Sequence, residues 1–215
     1  MTKVNPATAR VMLKARVFVA AFILALPAAL PASTTLSAHE LIENLSTDIL
    51  AVARESNEKD YRTKLRSVID DKYIERIDFL RIAKAATGAK AFNNATADQQ
   101  NALVHELRAY LNGLLISAAR NLPEYTIELL PSDGRGKKKT KVGIILKDAT
   151  NGFKLEAEVI LHSLDGPWKI YDLNIAGTSA MLAVKFFIKN SIKKHGIDGL
   201  ISDLKKLNAA SITPE

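Results

Sequence analysis

The segment Phe153-Lys154-Leu155-Glu156-Ala157-Glu158-Val159-Ile160-Leu161-His162 alternates along its whole length. Phe153, Leu155, Ala157, Val159 and Leu161 fall on one side of an extended chain, and Lys154, Glu156, Glu158, Ile160 and His162 on the other. A period of two is the mark of a strand, here with one apolar and one mostly polar face. The same period continues outward. Upstream, Lys139–Lys147 places Val142, Ile144 and Leu146 on one face, and Tyr125–Leu130 follows the break at Pro123. Downstream, Asp165-Gly166-Pro167 is a turn and Trp168–Ala176 a fourth strand. Four consecutive strands with short connections predict an antiparallel meander.

Such a sheet needs cover on its apolar face, and helices flank it on both sides in sequence. Leu41–Ala53 carries Leu41, Ile42, Leu45, Ile49, Leu50 and Val52 at helical spacing, and Tyr61–Tyr73 reads as a second, short helix. Asp78 stands as an N-cap before Phe79-Leu80-Arg81-Ile82-Ala83, with Gly88 as the stop. Thr96 and Gln99 form a capping-box pair opening the longest helix, which reaches about Arg120. Its Leu103, Leu107, Tyr110, Leu111, Leu114, Leu115 and Ala118 make one broad apolar face. After the strands, helix resumes at Thr178, stops at Gly196, and restarts at Asp198 for a run to about Asn208. The order predicts one α+β domain, an antiparallel four-stranded sheet with helices packed on its apolar face.

The N-terminus belongs to a different class of segment. Met1–Arg16 is basic, Val17–Leu26 is uncharged and apolar, and a Pro/Ala/Ser/Thr stretch follows. These are the three parts of a secretory signal peptide, expected to span residues 1–38 with cleavage after Ala38, leaving a soluble exported domain of residues 39–215. The apolar core is about half the ~20 residues needed to span a bilayer. The signal also accounts for much of the net charge of +7, because Lys3, Arg10, Lys14 and Arg16 supply +4. The remaining +3, from 26 basic and 23 acidic side chains, describes a mixed surface and excludes a nucleic-acid footprint. With no cysteine there is no disulfide framework and no thiolate chemistry, and with one Trp there is no aromatic stacking platform.

Chemistry-bearing motifs are sparse. There is no GxSxG, Walker loop, GxGxxG or HExxH. No two of the four histidines lie at i, i+3 or i+4, so no metal site is expected. Asp172 sits in an otherwise apolar strand. It is either a general base walled by apolar groups or, with Asn174, the polar face of that strand. The helix Ser179–Lys194 is apolar around most of its circumference and carries Lys185, Lys189 and Lys193 as one basic stripe. Either it crosses the core or one side lines a cavity. The loop Asp133–Lys141 is glycine- and lysine-rich. It is a solvated hairpin tip or a contact for an anionic surface through Arg135, Lys137, Lys138, Lys139 and Lys141.

The block Trp168-Lys-Ile-Tyr-Asp-Leu-Asn-Ile-Ala-Gly-Thr-Ser179, a long helix and then Gly196-Ile-Asp-Gly-Leu200 resembles the MlaC (toluene-tolerance) family. Asp78-Phe-Leu-Arg-Ile-Ala-Lys84 and Thr96-Ala-Asp-Gln-Gln100 continue the likeness, which covers about residues 41–208. The resemblance implies a periplasmic phospholipid carrier with a mixed, strongly curved sheet and no cofactor. It also implies that helices pack the curved, mostly antiparallel four-stranded sheet around an apolar pocket, where acyl chains would be held, and that lipid is shuttled between an outer-membrane lipoprotein complex and an inner-membrane ABC transporter to maintain outer-membrane lipid asymmetry. A monomer is expected, and a hopanoid or other lipid is an alternative cargo. The expected acyl-chain lining is Leu107, Tyr110, Leu111 and Leu114 from the long helix; Val159, Leu161 and Trp168 from the sheet; and Met181, Val184, Phe187 and Ile188 from the helix after it. The competing reading is an exported isomerase- or hydrolase-like enzyme with Asp172 as base. A second polar group able to work with Asp172 does not stand out in the sequence, which favours a carrier without catalysis.

Overall fold

The computed structural model describes residues 36–55, 58–120, 122–132, 138–164 and 166–212. Nearly all of the expected signal peptide, together with Arg135 and Lys137 of the basic loop, lies outside them.

Helix α1 (Ala38–Glu55) begins where Ser37 and Glu40 cap each other. The Ser37 Oγ accepts from the Glu40 N–H at 3.1 Å and the Glu40 carboxylate accepts from the Ser37 N–H at 2.8 Å. Helix α2 (Glu58–Val68) is shorter than its apolar pattern suggests. At Ile69 the chain widens into a π turn (Ile69–Tyr73) and then a 3₁₀ turn (Ile74–Arg76). The wide turn has a packing consequence. Ile69 joins Leu65 and Ile116, while Tyr73 joins the sheet residues Val142 and Val159 and donates its hydroxyl to Asp48 at 2.8 Å. Burial and the neighbouring Asp48 carboxylate push the Tyr73 phenol well above its ordinary pKa.

Helix α3 (Phe79–Thr87) starts at Asp78, whose Oδ1 accepts from the Arg81 N–H at 2.9 Å, and ends at Gly88 with φ 86°. A further helix absent from the sequence reading, α4 (Ala89–Asn94), follows at once and buries Phe92. The Thr96–Gln99 capping box then opens α5 (Ala97–Ala119) as expected.

The sheet has five strands rather than four: β1 (Tyr125–Leu129), β2 (Lys139–Asp148), β3 (Lys154–His162), β4 (Lys169–Ile175) and β5 (Thr178–Ser179), paired in that order and antiparallel throughout. The fifth arises because Ala176 and Gly177 both take positive φ, 48° and 78°. That is the geometry of a two-residue hairpin, so Thr178 pairs back to Ile175 before helix begins. Among the described residues the implied mixed character of the sheet reduces to one isolated parallel bridge, Ile77 to Ile170. Helix α6 (Ala180–Ile212) is broken at Gly196, with φ 69° and ψ −167°, into two arms. Gly199 permits the break, because a Cβ there would lie 2.0 Å from that of His195.

Among the described residues three apolar clusters result. The first joins α3, α4, α5 and both arms of α6 through Ile82, Phe92, Leu103, Leu107, Ile188 and Leu204. The second joins the start of α1 and Tyr73 to the sheet. The third joins the end of α1, α2 and the end of α5. Among the described residues no helix is long and apolar enough to cross a membrane.

Candidate functional site

Directly paired residues in an antiparallel ladder share a face, so the register defines the apolar surface of the sheet. Its rows are Thr140–Leu161–Ile170, Val142–Val159–Leu173, Leu129–Ile144–Ala157–Ile175 and Ile127–Leu146–Leu155. Burial is graded along these rows. Val142 and Leu161 are sealed beneath Leu41, Ile42 and Tyr73. Ile127, Ile144, Leu146 and Leu155 are only half-buried, and Ile175 is 41% exposed. An apolar face closed at one end and open at the other leaves surface that gains by being covered.

A bulge at Ile160/Leu161 divides β4 between two layers. Ile170 and Leu173 stay on the sheet cluster, whereas Tyr171 turns into the helical cluster. Two carboxylates then fasten helix starts to β3 and β4. Asp78, the α3 cap, donates its N–H to the Ile170 carbonyl at 2.8 Å, and its Oδ2 lies 2.7 Å from His162 Nε2. His162 is buried and packs 5.4 Å from the Tyr171 ring, and its Nδ1 has no hydrogen-bond partner among the described residues. Arg81 covers the same tyrosine ring at 4.8 Å. The sequence carries no signal for this group, because its members lie 84 residues apart.

The second fastening is Asp172. Its Oδ2 accepts from the Ser179 hydroxyl at 2.8 Å, and its Oδ1 accepts from the N–H groups of Met181 and Leu173 at 3.2 and 2.8 Å. Ser179 in turn accepts from the Leu182 N–H at 3.2 Å, capping α6. Asp172 is thus committed to holding a helix start, which is the polar-face reading of the sequence given a structural purpose. Next to it, Glu158 accepts from Asn174 and Lys141, and these two hydrogen bonds hold its carboxyl below the usual range.

The expected lining residues divide between the layers. Leu107, Tyr110, Leu111, Met181, Val184, Phe187 and Ile188 come together in the helical cluster, with the Tyr110 and Phe187 rings stacked at 6.1 Å. Val159, Leu161 and Trp168 belong to the sheet cluster. Leu114, one helical turn beyond Tyr110, is 46% exposed. Leu41, Ile42 and Tyr73, which the sequence reading left out of the lining, form the sealed end. Two surface recesses lie elsewhere. One of about 510 Å³ is bounded by Thr87, Lys90 and Asn94, and one of about 230 Å³ by Ile77, Phe79, Val104 and Lys169. Neither includes an expected lining residue. Of the basic loop, Lys138, Lys139 and Lys141 are exposed, and Lys141 is paired with Glu158 at 3.0 Å. Among the described residues no cluster of three His, Asp or Glu side chains could hold a metal ion.

Against known proteins, the sequence model of a family described as MlaC protein matches residues 43–206. A solved structure, the phospholipid-binding protein from Ralstonia solanacearum in complex with a phospholipid, has a similar fold with a TM-score of 0.71. The two chains are 23% identical, and the match covers 83% of this chain and 100% of that one.

Proposed function

The chain belongs to the MlaC family, and from that premise we propose that it is a phospholipid carrier holding acyl chains between the open apolar face of its sheet and its helical cluster. One observation carries the reading: the sheet face is sealed at Val142 and Leu161 but only half-covered at Leu155 and exposed at Ile175, and a helical cluster with apolar side chains of its own is fastened to β4. A diacyl lipid brings about 30 methylene groups, and at ~0.8 kcal/mol each their exposure to water costs on the order of 25 kcal/mol. A carrier therefore has to supply an apolar lining and little else.

Leu107, Val184 and Ile188 are buried together in the helical cluster, so acyl chains reach them only if that cluster opens. The fastenings at Asp78 and Asp172 hold the starts of α3 and α6 at β4. That makes β4 the line about which the layers part. The lining then comprises Leu107, Tyr110, Leu111, Leu114, Met181, Val184, Phe187 and Ile188 on the helical side and Val159, Leu161 and Trp168 on the sheet side. Catalysis forms no part of this reading, since the carboxylate best placed for it in the sequence is occupied as a helix fastening.

The place of action is the periplasm, reached through the signal-like residues 1–38. The role is shuttling between an outer-membrane lipoprotein complex and an inner-membrane ABC transporter. The basic loop around Lys138, Lys139 and Lys141 acts on the rate of encounter with acidic surfaces, an effect screened within ~8 Å at physiological salt. The test is exchange: the purified protein is incubated with vesicles containing a fluorescent diacyl phospholipid and then separated from them. The proposal expects about one labelled lipid per protein; a protein that carries no label while remaining folded refutes it.

A further inference from the structure

The outward side of the first arm of α6 is as unusual as its inward side. Val184, Ile188 and Ser191 are buried, yet Leu182 is 62% and Phe186 73% exposed. Phe186 stands two residues from both Val184 and Ile188, about 200° around the helix from each. It therefore points away from the core, not along its edge. Leu182 lies one turn before it on the same side. Lys185, Lys189 and Lys193 are exposed and share this side of the helix. The arm contains no acidic residue from Ala180 to Ile197, and among the described residues none of these three lysines is matched by a carboxylate.

We propose that this face docks reversibly on an anionic lipid membrane, with Leu182 and Phe186 entering the headgroup region and Lys185, Lys189 and Lys193 meeting lipid phosphates. The charge decides the occupant. An uninterrupted cationic strip around an apolar pair is complementary to an anionic bilayer, whose surface attracts the lysines and whose headgroup region accepts the Leu and Phe side chains. A specific protein partner is the weaker fit, because two exposed apolar side chains fall far short of the ~1,000 Å² that a stable protein interface buries. Two side chains and three lysines also make a weak anchor, which suits a protein that must leave the surface again. If the carrier reading holds, docking brings Val184, Phe187 and Ile188, on the inner side of the same arm, next to the bilayer. The docking face itself does not depend on that reading.

The test is flotation of the exported chain with vesicles of phosphatidylglycerol in phosphatidylcholine, against phosphatidylcholine alone, across a salt series. Binding is expected only to the anionic vesicles and should weaken as salt rises. Lys185→Gln, Lys189→Gln and Lys193→Gln should each weaken it by about fivefold. The pair Leu182→Ser and Phe186→Ser should weaken it by about tenfold or more even at low salt. Phe186→Trp should give an emission that shifts to the blue on adding anionic vesicles and not on adding neutral ones. Thermal midpoints should hold, since all five side chains face solvent. A wild-type chain that ignores anionic vesicles overturns the proposal. So do variants that bind as wild type does, or a face that binds only an acidic protein surface. Lipid extracted from each variant is measured separately: cargo retained while vesicle binding is lost isolates docking, whereas cargo absent from the wild type counts against the carrier reading alone.

Discussion

Replacing Asp172 with alanine separates its two possible roles. In the structure its carboxylate accepts from the Ser179 hydroxyl, the Met181 N–H and the N–H of its neighbour Leu173, at 2.8, 3.2 and 2.8 Å. The Leu173 contact is local to the strand, so two interactions fasten α6 to β4. Hydrogen bonds to a charged group contribute ~1.5–3 kcal/mol each, and the site is only partly buried, which places the loss near the lower end, at about 3 kcal/mol. For a domain of this size each kcal/mol moves the thermal midpoint by roughly 2–4 °C, so Asp172→Ala should lower it by about 6–12 °C. Asp172→Asn keeps one carbonyl acceptor and should lose about a third of that. Ser179→Ala, which removes both the link and the α6 cap, should cost about 2–3 kcal/mol and be non-additive with Asp172→Ala. Thermal melts followed by circular dichroism measure all three. An alanine variant whose midpoint stays within about 1 °C of wild type refutes the fastening, since that would be at most about a sixth of the shift assigned to it.

Val184→Trp places a large ring where the helical cluster is full; it should cost ~1–3 kcal/mol and reduce the lipid recovered from purified protein, and an unchanged melt with unchanged lipid removes Val184 from the lining. Ala176 holds a left-handed conformation with φ 48°, so Ala176→Gly should raise stability by about 0.5–1 kcal/mol, and a lowered urea midpoint would contradict the hairpin assignment. Partial burial raises the Asp48 pKa, but hydrogen bonds from Lys72 and Tyr73 more than offset it, leaving a net value below the ordinary 3.8. A depressed carboxyl contributes stability that is present above its unfolded pKa of about 4 and lost as pH falls through the folded value. Asp48→Asn should therefore flatten the acid limb of the stability profile, and an identical limb in wild type and variant would show that the pair contributes nothing.

The parts of the fold that were legible in sequence are those whose signal is local. Asp78 and Gly88 bounded α3, Thr96 and Gln99 opened α5, and the alternation from Lys154 to His162 gave β3 with its faces the right way round. The Gly196 break was also legible, since only glycine tolerates that backbone. The π turn at Ile69 was not, because Leu65, Val68 and Ile69 keep helical spacing through it and only contact with α5 and the sheet draws the turn wide. Strand β5 was hidden by Thr178 and Ser179, which read equally well as a helix start. Ser179 is in fact both, pairing with Asn174 while capping α6. The candidate site was legible as a set of apolar faces, but core and lining share one periodicity. Which residues touch each other, as with Tyr110 and Phe187, and which stand outside, as with Leu114 and Phe186, depends on how the layers meet. The His162–Asp78 pair depends on tertiary contact alone.

The central claim is that the sheet and the helical cluster hold a diacyl lipid between them, and its most direct test is native mass spectrometry of the protein from residue 39 onward, purified without detergent, followed by organic extraction and identification of whatever was bound. The account predicts a species heavier than the polypeptide by the mass of one lipid, with a two-chain glycerophospholipid in the extract and less of it from Val184→Trp. A folded protein that runs at its polypeptide mass, yields no lipid on extraction and takes up none from vesicles would contradict it.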